Sequence, residues 1–104
     1  MNSLEQLQEW YRAQCNGAWE HSLGVKIESL DNPGWLLTVD LEDTPLSGAA
    51  FNRVAYGVDL AGWPEQAEEW IDCKVEGMTF KAAGGPQKLE EMIQVFLRWK
   101  DALA

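Results

Sequence analysis

Hydrophobic and polar positions along this chain change their spacing twice, and each change marks an element. Leu4, Leu7, Trp10 and Tyr11 recur at helical spacing, Ser3 and Gln6 fit a capping box, and Asn16-Gly17 supplies a stop. A first helix over Leu4 to Cys15 is expected. From Leu23 the period becomes two: Leu23, Val25 and Ile27 alternate with Lys26 and Glu28, and beyond "DNPG" Trp35, Leu37, Val39 and Leu41 alternate with Leu36, Thr38 and Asp40. These are paired strands, and "LDNPGW" is the corner between them. Pro33 presets φ for the first central position of a type II turn, Gly34 accepts the positive φ of the second, and Asp31 or Asn32 can bond back to the local backbone.

"EDTPLSGAAF" reads as a loop. "NRVAYGVDL" alternates again, with Val54, Tyr56, Val58 and Leu60 on one face, and predicts a third strand that Gly57 interrupts. After the turn-forming "AGWPEQ", Ile71, Cys73 and Val75 alternate with Trp70, Asp72, Lys74 and Glu76 in a fourth strand. "AAGGP" breaks the chain, Pro86 suits the first position of a helix, and Leu89, Met92, Ile93, Phe96, Lys100 and Leu103 trace its stripe. Glu90 and Glu91 near its start, with Arg98 and Lys100 near its end, complement the helix dipole. The order α-β-β-β-β-α predicts an α+β two-layer sandwich. Its sheet is expected to be a four-stranded antiparallel meander with both helices on one face, because each helix has one apolar stripe to bury. The other face is left to water or to a partner.

Composition narrows what that partner is. A chain of 104 residues, 46% hydrophobic, is expected to form one domain over 1–104 with a single core. "MNSLEQLQEW" has neither the basic flank nor the apolar run of a signal peptide, so the expected location is the cytoplasm, with no membrane partner. Seventeen acids against eight Lys and Arg give a net charge of −9, which argues against nucleic acid and for a basic partner steered by the field. The excess is uneven: Met1 to Leu46 holds eight acids and two bases.

Reactive side chains gather in "CNGAWEH". Cys15, His21 and Asp31 or Asn32 could be arranged as thiol, base and orienting group. Against this, Cys15 falls on the last turn of a helix rather than at an N-terminus that would stabilise a thiolate. One histidine with the distant Cys15 and Cys73 matches no zinc spacing, and no phosphate-loop or dinucleotide glycine pattern is present, so no metal or cofactor is expected. The two cysteines read as free thiols packed as small apolar groups.

Six tryptophans remain to be explained. Trp10, Trp35 and Trp99 have core or core-edge spacing, whereas Trp70 falls by alternation opposite Ile71, Cys73 and Val75, beside Asp72 and Glu76. It is either an exposed aromatic or covered by something outside the sheet. An exposed Trp among charges is a common interface anchor.

Two segments, "WYRAQCNGAWEHSLGVKIESLDNPGWLLTVDL" from Trp10 to Leu41 and "EWIDCKVEGMTFKAAGGPQKLEEMIQVFLRW" from Glu69 to Trp99, closely resemble the bacterial polymorphic-toxin immunity family called immunity protein 53. The pairing of "WEH" with "LDNPGW" is the specific part of the likeness. Ala18 and Leu23 stand where an acidic residue and an aromatic are expected, and Pro45 to Ala67 matches weakly, so partner specificity can reside outside what the resemblance reads. The resemblance implies an antidote that binds and neutralises a cognate toxin domain encoded beside it, without catalysis. The rival is a small cytoplasmic hydrolase or metal-dependent enzyme using Cys15 and His21.

For the antidote, strand parity assigns Glu28, Asp40, Asp59, Asp72 and Glu76 to the helix-free face against Lys26, Arg53 and Lys74, with Trp70 as the anchor of a basic toxin. The competing arrangement folds Pro45 to Ala50 or Ala61 to Gln66 over Trp70 and moves binding to the loops around Trp19, Glu20 and Trp63. Oligomeric state is not legible.

Overall fold

A computed structural model describes residues 1–103. The chain runs α1 (Ser3–Gln14), α2 (Trp19–Ser22), β1 (Val25–Leu30), β2 (Gly34–Asp40), β3 (Val54–Tyr56), β4 (Ile71–Glu76), β5 (Thr79–Gly84) and α3 (Leu89–Ala102). The fold is α+β, but its antiparallel sheet has five strands in the order β1-β2-β5-β4-β3, which corrects the four-stranded meander. The missed strand is "TFKAAG": Gly77, at φ +58°, turns the chain within two residues so that Thr79 pairs with Glu76. Its alternation is faint because Ala82, Ala83 and Gly84 have low strand propensity. β5 separates β2 from β4 at the centre of the sheet, and the chain must cross from β2 to the far edge before β3.

Local chemistry explains the other shifts. α1 starts one residue earlier than expected because the capping box is Asn2 with Glu5: the Glu5 N–H donates to Asn2 Oδ1 (2.9 Å) and the Asn2 N–H to Glu5 Oε1 (3.1 Å). α3 begins at Leu89, three residues after Pro86. β3 stops at Tyr56 because Gly57 turns left-handed at φ +69°. "LDNPGW" is a hairpin corner, with Leu30 paired to Gly34 across three turn residues. Gly34, however, is not at positive φ; a Cβ there would land against the Gly84 carbonyl, so the glycine is required by strand packing rather than by a type II turn.

The core forms between the sheet and α3. Leu37 and Val39 of β2, Phe80 and Ala82 of β5, and Ile71 and Cys73 of β4 share one face and are buried against Met92, Ile93 and Phe96. α3 lies against β2, β4 and β5, and α1 packs on α3 through Leu7 and Trp10, whose ring meets Phe96 edge-on at 5.1 Å. Trp99 stacks near Phe80 and donates from its indole to the Ala50 carbonyl (2.9 Å), which pins the long β2–β3 crossover.

Candidate partner-binding surface

The face of the sheet turned away from α3 is built in rows that the strand register dictates. Glu28, Leu36, Ala83 and Asp72 lie side by side, then Lys26, Thr38, Lys81 and Lys74, then Asp40, Thr79 and Glu76. Lys81 belongs to this face and was invisible without β5. The expected imbalance of five acids against three bases therefore shrinks, and the middle row is basic.

Most of the carboxylates expected to meet a partner already have partners inside the chain. Asp72 is 7% exposed and accepts two hydrogen bonds from Arg53, from Nε at 2.7 Å and Nη2 at 3.0 Å. That pair is bidentate, and the tip of a loop covers it: a Cβ on Gly62 would lie 2.8 Å from Asp72 Oδ2. Glu76 bridges Lys81 (3.2 Å) and Lys74 (3.7 Å), and these cations, Lys81 first, hold its carboxyl below the usual glutamate range. Asp40 accepts the Gly24 N–H at 2.9 Å. Glu28 stands exposed on the edge strand.

Trp70 is not an exposed anchor. It is 5% exposed, lies outside the main core cluster, and sits in a cleft that it lines together with Trp63, Pro64, Gln66, Ala67 and the Asn32–Pro33 corner. This corresponds to the arrangement with Ala61 to Gln66 folded over it. The physical reason is the left-handed turn at Gly57, whose missing side chain lets the backbone pass against the Glu69 carbonyl and the Trp70 Cα.

The loop Gly57–Glu69 is thereby ordered as a miniature hairpin. Val58 bridges Pro64, the Glu65 N–H donates to the Gly57 carbonyl (2.8 Å), and the Asp59 N–H donates to the Trp63 carbonyl (2.9 Å). Asp59 lies at its tip rather than on a strand: Oδ1 accepts from the Ala61 (2.9 Å) and Trp63 (3.0 Å) N–H groups. Leu60 projects fully into solvent and Trp63 is 69% exposed. Glu69 pairs with Lys88 at 2.6 Å, while Glu65 and Glu68 are exposed and enter no ion pair among the described residues. Spacing placed Leu60 on a strand face; the signal for the loop was "DLAGWP", an acid, a glycine and a proline around Leu60, Ala61 and Trp63.

The "CNGAWEH" stretch is a structural corner. Asn16 Oδ1 accepts the Ala18 and Trp19 N–H groups, and the Glu20 carboxylate accepts those of Asn16 and Gly17, each of these last two at 2.9 Å. Trp19 is buried and its indole donates to the Glu42 carbonyl (2.9 Å), so the side chains of Trp19 and Glu20 both hold this corner together. Cys15 donates to the Tyr11 carbonyl (3.4 Å), His21 is exposed, and burial pushes the Cys73 thiol up to about 12, so that it stays protonated at neutral pH. Among the described residues no three His, Cys, Asp or Glu converge as metal ligands, and no helix is long and apolar enough to cross a membrane.

No curated protein and no solved structure matches this chain significantly. A family description does: the model of Immunity protein 53 matches residues 4–101, which takes in all but the outermost residue of the helix at each end, the whole sheet and the loop beside Trp70. By that match the chain belongs to the immunity protein 53 family.

Proposed function

We propose that this chain is an antidote that binds a cognate toxin domain encoded beside it and neutralises it by occupation, with no chemical step of its own. The observation that carries the reading is the family match over residues 4–101. The net charge of −9 supports a basic partner, whose encounter the field accelerates. The contact is assigned to the side of the sheet turned away from α3. There Glu28, Asp40, Asp59 and Glu76 would set association rate and salt sensitivity, and Asp72 and Trp70 would hold the surface in shape from beneath. Trp19 and Glu20 would act likewise, by fixing the neighbouring corner.

The test is coexpression with the toxin domain encoded beside the gene. Protection of the host together with copurification of the two chains is the expected result. Protection without a complex would overturn the reading and favour an enzymatic antidote. Cys15→Ser with His21→Ala separates the two further, since a binding antidote keeps its protection and a thiol hydrolase loses it.

A further inference from the structure

We infer that the turn Asp59–Trp63 is the anchor of the toxin contact, and that Leu60 and Trp63 enter an apolar depression on a toxin domain whose rim carries Lys and Arg. The inference rests on the antidote reading above and names the surface it uses.

Three observations on this loop converge. First, it exposes Leu60 completely and Trp63 to 69%, whereas Trp10, Trp19 and Trp70 are buried. Tryptophan is the side chain most enriched at interface hot spots, and an exposed apolar pair on one turn is a patch that water solvates poorly. Second, the turn is preorganised. Asp59 Oδ1 takes two backbone N–H groups, the backbone closes from Asp59 to Trp63, and Gly62 rests on the buried Asp72 carboxylate that Arg53 pairs with. A loop already held in one shape gives up little conformational freedom on docking, so more of its contact energy appears as affinity.

Third, the sign of the surroundings chooses the partner. From Val54 to Cys73 the chain has five acids and no Lys, Arg or His; of these Asp72 is neutralised by Arg53 and Glu69 by Lys88, while Glu65 and Glu68 flank the apolar pair without an ion partner among the described residues. A second copy of this chain would bring the same acids against these and be repelled. A basic rim around an apolar floor is attracted by the acids and desolvates the indole. Pro33 of the hairpin corner and Pro64 lie beside Trp63 along the cleft floored by Trp70, and both are exposed, which extends the apolar contact without adding charge.

The experiment measures affinity for the purified toxin domain encoded beside the gene, by calorimetry or surface capture, for the wild type, for Leu60→Ala with Trp63→Ala, and for Glu65→Lys with Glu68→Lys. Expected is a loss of about 30-fold or more for the apolar double variant at unchanged melting temperature, the scale of a hot-spot truncation. The charge-reversal variant is expected to slow association about 10-fold at low salt, with the difference shrinking as salt rises. Wild-type affinity retained by the apolar variant overturns the anchor while leaving the antidote reading intact. A wild type that does not bind the toxin domain overturns both. A wild-type dimer in sedimentation that Trp63→Ala dissolves, with toxin affinity unaltered, assigns the patch to self-association and also overturns the anchor.

Discussion

The sheet surface turned away from α3 and the loop Gly57–Glu69 are built from the same kinds of side chain and end in opposite states. On the sheet, Asp72 is closed onto Arg53 and Glu76 onto two lysines, so the charges cancel where they stand. On the loop, Glu65 and Glu68 have no ion partner among the described residues, and Leu60 and Trp63 stand in water. Net charge therefore does not tell where a partner lands. The place is decided by which charges and apolar groups are left over once the fold has used its own.

Two tryptophans seven positions apart give that contrast its sharpest test. Trp70→Ala removes a buried ring from the small cluster beneath the loop, and a loss of about 3 kcal/mol or more in unfolding free energy is expected from chemical denaturation. Trp63→Ala removes a mostly exposed ring and is expected to stay within about 0.5 kcal/mol. Equal losses for the two would mean that the loop's exposed ring is structural, and the distinction between the regions would collapse. Gly57→Ala comes next. Alanine at a left-handed φ costs about 1 kcal/mol, and its Cβ would press on the Glu69 carbonyl and the Trp70 Cα, so about 2 kcal/mol in all is expected. Faster proteolysis confined to residues 57–69 would show that the neck had opened.

Much of this fold was legible where both periodicity and residue type agreed. Val and Leu alternating through Trp35 to Leu41 gave β2 and its buried side, and the Leu89–Phe96 stripe gave α3. β5 was lost because alanine and glycine fill its second half, and the loss spread: without it Lys81 had no face, the sheet appeared more acidic than it is, and a meander looked sufficient. Parity correctly set Trp70 apart from Ile71, Cys73 and Val75. Its burial depends on a single left-handed glycine, and the cleft it lines is shared with the distant Asn32–Pro33 corner, neither of which spacing records. The internal partners of the carboxylates were illegible for a similar reason. Hydrogen bonds such as Gly24 to Asp40, or Asn16 and Gly17 to Glu20, follow from backbone geometry rather than from composition.

Arg53 tests the claim that the sheet's charges serve the fold. In Arg53→Ala the Asp72 carboxylate is left buried without its bidentate partner; because the guanidinium itself is 42% exposed and partly screened, about 1–2 kcal/mol of stability is expected to be lost rather than the larger cost of a fully buried pair. The double variant Arg53→Ala with Asp72→Ala should recover part of that, since no orphaned charge remains. A double variant whose loss equals the sum of the singles would show that Asp72 acts independently of the arginine, through its contact with the loop tip at Gly62.

The smallest effect belongs to Glu76, and it has a definite sign. Lys81 and Lys74 lower its carboxyl in the folded chain relative to the usual glutamate value of about 4.3. A depressed folded value means that the unfolded chain takes up the proton first as acid is added. The stabilisation is therefore fully present above the unfolded value and disappears as pH falls through the folded one. Titration followed by carboxyl NMR should place the Glu76 midpoint below the usual glutamate value. In Glu76→Gln the acid-side fall in melting temperature should begin slightly lower in pH, because this carboxylate no longer contributes to it. The same substitution leaves Lys81 and Lys74 side by side, with Lys26 in the same row beyond Thr38, without the acid that bridges the first two, making the sheet surface locally basic. If toxin affinity is set at the loop, this reversal of sign on the sheet should change binding far less than Glu65→Lys with Glu68→Lys does. A larger change from Glu76→Gln would return the contact to the sheet.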